Sequence, residues 1–93
     1  MAVHWDTAKA TSNLRRHGGR FADAVSAMED ERAISVRDET EEEERWITIG
    51  LDCVVRILVV VYTWRGEQIR LISARPATRR EARQYGEGNE EGI

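Results

Sequence analysis

Residues 54–63, Val-Val-Arg-Ile-Leu-Val-Val-Val-Tyr-Thr, constrain the fold of this chain more than any other segment. Apart from Arg56, every side chain in the run is β-branched, aliphatic or aromatic. Such a run reads as a central strand covered on both faces, so it demands strand neighbours and packed layers. The flanking sequence supplies the strands. Residues 33–37 are short and alternating, as an edge strand would be, and residues 45–51 alternate Trp46 and Thr48 against Ile47, Ile49 and Leu51. Gly50-Leu51-Asp52-Cys53 reads as a turn, Trp64-Arg65-Gly66-Glu67 as a hairpin connection, and residues 68–75 as the last strand.

Helices supply the layers. Asp6 is placed to cap a polar helix over residues 7–16, which His17-Gly18-Gly19 ends, Gly being free to turn left-handed past the last turn. Residues 20–28 carry Phe21, Ala24, Val25 and Met28 on one apolar stripe, the mark of a second helix. Thr78-Arg79-Arg80-Glu81 fits a capping box that opens a third helix, and Pro76 keeps residue 75 extended. That helix is expected to run to about Gln84 or Tyr85. The expected fold is α+β: two N-terminal helices, an antiparallel meander of three to four strands and a C-terminal helix. One domain spans residues 1–86, and the Gly- and Glu-rich residues 87–93 read as a flexible tail.

The net charge of −3 conceals strong segregation. Residues 29–44 hold nine acidic and two basic side chains, whereas residues 45–85 hold eight Arg and three acidic ones. The acidic run 38–44 reads as a solvated hairpin loop. Thirteen of the fourteen basic residues are Arg, whose planar fork suits bidentate contact with phosphate. The single cysteine, Cys53, excludes an internal disulfide and a Cys-based zinc site and suits a reducing cytosol. No segment resembles a signal peptide, and the longest apolar run, Ile57 to Tyr62, is far too short for a membrane span. A soluble cytoplasmic domain is expected. Two histidines are too few for a metal site without further ligands, and no metal or other cofactor is expected.

The cationic residues carry the chemistry. Strict alternation in the last strand puts Arg70 and Arg75 on opposite faces unless a bulge intervenes. Arg75 would then act from the strand's end, beside the amino end of the last helix, where free amides suit an anion. Arg56 either covers its neighbours at the surface or joins Arg70 in one concavity. Arg79, Arg80 and Arg83 read as a wet helix face. His17, at a helix carboxyl end, is either structural or a proton-transfer group. Tyr85 is either a helix-end contact or a phenol near the phosphate. Trp5, Trp46 and Trp64 read as core or rim packing.

Five motifs occur in order: Trp5-Asp6-x-x-Lys9-x-x-x-Asn13-x-x-Arg16-His17-Gly18; Phe21-x-Asp23-Ala24; Glu44-Arg45-x-Ile47-x-Ile49-Gly50; Val59-Val60-Val61-Tyr62-Thr63-x-Arg65-Gly66; and residues 69–85, with Arg70, Arg75, Thr78, Arg79, Glu81 and Tyr85. Over residues 4–86 the chain resembles the BrnT toxins of type II toxin–antitoxin systems, departing from their usual pattern at Arg16, where Lys is common, and Met28, where Phe is usual. The resemblance implies a RelE-like fold and a ribonuclease that blocks translation by metal-independent RNA cleavage. It also implies a BrnA-type antitoxin with a ribbon-helix-helix part, which joins the toxin in repressing their operon, so that DNA is met only through the complex. On that reading Arg65, Arg70 and Arg75 stabilise charge on the phosphate with Arg45 a further candidate, His17 moves a proton, and Tyr85 is a weaker candidate for the same task. Two other classes compete: a noncatalytic module whose Arg face binds an acidic segment, and a nucleic-acid binder that does not cut.

Overall fold

In the computed structural model, which describes residues 2–39 and 44–91 and side chains up to residue 87, the aliphatic run becomes the middle strand of a five-stranded sheet. The chain order is β1 (Ala2–His4), α1 (Thr7–His17), α2 (Phe21–Met28), β2 (Ile34–Asp38), β3 (Arg45–Leu51), β4 (Ile57–Arg65), β5 (Gln68–Pro76) and α3 (Arg79–Glu91). The sheet order is β1-β5-β4-β3-β2. Strands β2 to β5 form the expected antiparallel meander, and β1 adds a parallel strand beyond β5, so the sheet is mixed. Three residues, Ala-Val-His, carry too little pattern for the sequence to announce β1. Of the acidic run 38–44, residues 40–43 lie outside the described residues.

The middle strand begins later than its composition suggests. Asp52, only 5% exposed, accepts the Val54 and Arg56 amides on one carboxylate oxygen at 3.0 and 2.8 Å. Its own amide donates to the Arg56 carbonyl at 2.8 Å. This turn takes Val54 and Val55 out of the ladder and into solvent, 58% and 78% exposed. Val55 sits at φ 64°, a left-handed conformation that a β-branched side chain resists. Side-chain-to-backbone bonds have here outweighed strand propensity.

One face of the sheet carries the core. Phe21, Ala24 and Ala27 of α2 pack on Leu58, Val60, Tyr62, Ile69, Leu71 and Ala74. Full burial of each larger aliphatic side chain contributes about 1.5–3 kcal/mol. The helix lies close because residue 50 is glycine: a Cβ there would collide with the Ala27 carbonyl. Hydroxyls cross the buried strands in a chain, from Ser35 to Thr48 at 2.7 Å and from Thr48 to Tyr62 at 2.9 Å.

Strand β5 is not regular. Leu71 pairs with Tyr62 and Ser73 with Val61, which leaves Ile72 as a bulge. Leu71 and Ala74, three residues apart, therefore both face the core, at 2% and 0% exposure. The same shift puts Arg70, opposite Thr63, and Arg75, opposite Val59, on the face away from α2.

Both ends of α1 follow the sequence. Asp6 caps it by accepting the Ala8 amide at 2.7 Å, and Gly18 closes it at φ 77°. The capping box of α3 is also formed, with Thr78 and Glu81 exchanging bonds of 2.9 and 3.2 Å. This helix continues through Gly86 and Gly88 to Glu91, past the end expected near Tyr85 and into the residues read as a tail. Among the described residues, no helix is long and apolar enough to cross a membrane.

Replacing Val55 by Asn, which tolerates the left-handed region, should raise unfolding stability by about 1 kcal/mol in chemical denaturation. Unchanged or lower stability would mean that Val55 is not strained.

Candidate active site: a cationic groove between the first helix and the sheet

Beyond Arg70 the edge of β5 has no strand beside it, because β1 pairs only with residues 68–70. Asn13 takes the strand's place. Its side-chain amide donates to the Ala74 carbonyl at 2.7 Å and to the Gly19 carbonyl at 2.8 Å, and its oxygen accepts the Ala74 amide at 3.1 Å. The residue is 4% exposed. Gly19 permits this approach, since a Cβ there would strike the Ala74 carbonyl. Helix α1 is thus fixed alongside β5, and the flank carrying Lys9, Ser12 and Arg16 borders the sheet face away from α2.

Along that border runs a groove of three adjoining recesses. The middle one, about 200 Å³, is lined by Lys9, Arg45, Thr63, Arg65, Arg70 and Ile72. Arg70 lies opposite Thr63 across the β4–β5 ladder, and Arg65 opposite Gln68 at the hairpin. Gly66, at φ 63°, makes that tight connection possible. Four of the six lining residues are cations, each able to donate to an anion's oxygens. Lys9 and Ile72 also line the next recess, about 190 Å³, together with Ser12, Asn13, Arg16 and His17. At the other end Arg65 and Arg70 border a larger cavity of about 590 Å³, whose walls include His4, the Trp5–Thr7 connection and Gln68. Cations grouped in this way set up a local positive field.

The model for the family described as "Ribonuclease toxin, BrnT, of type II toxin-antitoxin system" matches residues 5–81. The chain belongs to the BrnT family of ribonuclease toxins. The crystal structure of the Brucella abortus ribonuclease toxin, BrnT, is similar to it at 27% sequence identity and a TM-score of 0.63, covering 85% of this chain and 99% of that one. No curated protein matches significantly.

Within this BrnT fold the residues singled out from sequence divide into two groups. Arg45, Arg65 and Arg70 meet at the middle recess, and His17 borders the neighbouring one. Arg75 and Tyr85, expected beside them, line none of the three recesses. The bulge does bring Arg75 to the face of Arg70, but at the opposite end of β5, where α3 claims it. Its guanidinium holds Glu81 through two bonds of 2.6 and 2.7 Å. The Tyr85 hydroxyl donates to Asp30, whose carboxylate also accepts the Leu51 amide at 2.9 Å, and so ties α3 to the end of β3. Arg56 does not join Arg70 either: it pairs with Asp23 at 2.9 Å and Asp52 at 3.2 Å, at the far end of β4 from Arg65. Arg79, Arg80 and Arg83 are exposed on α3.

Lys9, a member of the first sequence motif, joins the groove without being among the candidate site residues. Its signal was the helical spacing Lys9, Asn13, Arg16, which puts the buried amide and both cations on neighbouring positions of one helix flank. His4 and Gln68 carried no signal, because only the pairing of β1 with β5 brings them to the groove.

The braces under α3 titrate. Arg75, whose hydrogen bonds are the main cause, holds the Glu81 carboxyl down at about 2, against an ordinary 4.5; partial burial opposes this and the Thr78 amide assists. The Asp30 carboxyl is also lowered: burial pushes it up, but bonds from Tyr85 and the Leu51 and Arg32 amides outweigh that. A carboxyl lowered by folding contributes stability fully above its unfolded value, and loses that contribution as pH falls toward the folded one. Glu81→Gln should therefore flatten the loss of stability between about pH 4.5 and 2. At neutral pH it should cost about 1 kcal/mol, a small figure because the Arg75 side chain is 39% exposed and screened by water. Denaturation followed across that pH range checks this; an unaltered profile would remove the brace.

Asn13→Ala strands three backbone groups at the α1–β5 junction. It should destabilise the protein by about 2–3 kcal/mol, read from the denaturation midpoint.

Proposed function

We propose that the groove cuts RNA by attack of a ribose 2′-oxygen on the adjacent phosphate, without a metal ion. The observation that carries this reading is the grouping of Lys9, Arg45, Arg65 and Arg70 around one recess of phosphate size. In this reaction a base takes the 2′-hydroxyl proton, the oxygen bonds to phosphorus, and the bond to the 5′-oxygen breaks as that oxygen gains a proton. The products are a 2′,3′-cyclic phosphate and a 5′-hydroxyl end. Negative charge grows on the phosphoryl oxygens along the way, and fixed cationic donors stabilise it more than they stabilise the substrate. Arg45, Arg65 and Arg70 take that role, with Lys9 beside them. His17, next to Lys9 along the groove, moves a proton, imidazole being the side chain best suited to do so near neutrality. Arg75 and Tyr85 act in this reading as supports of α3.

Membership of a type II toxin family supports the rest of the proposal. RNA cleavage arrests translation in the cytoplasm, and a BrnA-type antitoxin with a ribbon-helix-helix part neutralises the toxin. The two together repress their operon, and DNA is contacted through the antitoxin. An acidic segment on such a partner would satisfy the groove's cations as a phosphate does.

Purified protein should cleave RNA in the presence of EDTA and leave cyclic phosphate ends. Arg70→Ala and Arg65→Ala should each lower the rate about 10²–10³-fold while remaining folded. Induction of the wild type should arrest growth, and co-expression of the antitoxin should restore it. Folded arginine variants that cut at the wild-type rate would place the chemistry elsewhere.

A further inference from the structure

The largest cavity of the groove differs in chemistry from the recess beside it. Cations make up four of six lining residues in the smaller recess but only Arg65 and Arg70 among eight in the larger. The rest of its polar lining is His4, Thr7, Gln68 and Asp6. Sheet pairing fixes where two of these sit. His4 lies beside Arg70 across the parallel β1–β5 pair, and Gln68 faces Arg65 across the hairpin. The Trp5–Thr7 connection forms the opposite wall. One Asp6 oxygen is committed to the Ala8 amide, which leaves the other as an acceptor.

We infer that this cavity is a nucleoside pocket, which takes the base and ribose adjoining the phosphate held by Arg45, Arg65 and Arg70. Three observations carry the inference, which rests on the ribonuclease reading of the groove. The volume, about 590 Å³, lies in the range that holds a base with its sugar, whereas about 200 Å³ suits a phosphate group. Its further donors and acceptors suit the edge of a base: the Gln68 amide donates and accepts, the His4 imidazole donates, and Asp6 accepts from amino or imino groups. It also shares Arg65 and Arg70 with the phosphate recess, so one nucleotide spans both without a gap. Solvation accounts for any single polar residue at a sheet rim. It does not account for Lys9 and Arg45 lining one recess while His4, Thr7 and Gln68 line the next.

Calorimetric titration of the purified protein with the four nucleoside 3′-monophosphates, ribose 5-phosphate and inorganic phosphate tests the pocket without requiring catalysis. At least one nucleotide should bind about tenfold tighter than ribose 5-phosphate. Gln68→Ala and His4→Ala should each reduce that advantage at least about threefold and leave inorganic phosphate binding unchanged. Nucleotides that bind no tighter than ribose 5-phosphate, or not at all, would overturn the pocket, as would a preference untouched by both substitutions. Nucleotide selectivity without RNA cleavage would sustain the pocket and refute the ribonuclease reading. Cleavage by a protein that shows no nucleotide selectivity would do the reverse.

Discussion

One buried amide holds the working parts of this molecule in register. Asn13 reaches from α1 to the open edge of β5 and satisfies both polar groups of Ala74, doing with a side chain what β1 is too short to do with its backbone. Unpaired, those groups would be buried without partners, at a cost comparable to a large part of a small domain's net stability. Gly19 is required by the same contact. Because α1 is anchored there, the flank with Lys9, Arg16 and His17 runs along the sheet face from which Arg45, Arg65 and Arg70 project.

Charge segregation follows from that geometry. Four cations gather around one small recess, while the acidic surplus of the sequence lies in residues 29–44, directly before Arg45. Preorganised cationic donors favour a phosphate most where the charge on its oxygens is greatest.

The opposite end of the same sheet face shows how arginines of equal promise from sequence come to do different work. Arg75 and Arg70 share a face because of the Ile72 bulge, yet Arg75 meets Glu81 and Arg70 meets the groove. Glu81 is also a member of the capping box, so one carboxylate both starts α3 and fixes it to β5. Tyr85 and Asp30 make the second tie, to the end of β3. These contacts brace the end of the face away from the cationic recess.

The sequence by itself determined whatever depends on neighbours along the chain. The Asp6 cap, the Gly18 stop, the α2 stripe, the Thr78–Glu81 box, the Gly66 hairpin and the antiparallel meander are local patterns, and each is present in the structure. Local reading failed where a side chain reached across the fold or a short segment gained its structure from a partner. Val54 and Val55 have strand composition, but Asp52 takes the turn's amides. Strand β1 exists because β5 offers it an edge. The site divides in the same way. Residue type and motif single out Arg45, Arg65, Arg70 and His17, which line adjoining recesses, whereas the diversion of Arg75 to Glu81, of Tyr85 to Asp30 and of Arg56 to Asp23 has no signal in the sequence. Which arginines brace an element and which line a groove is a matter of distance between elements far apart in sequence. Only the packed sheet, with one bulge and one buried amide, decided it.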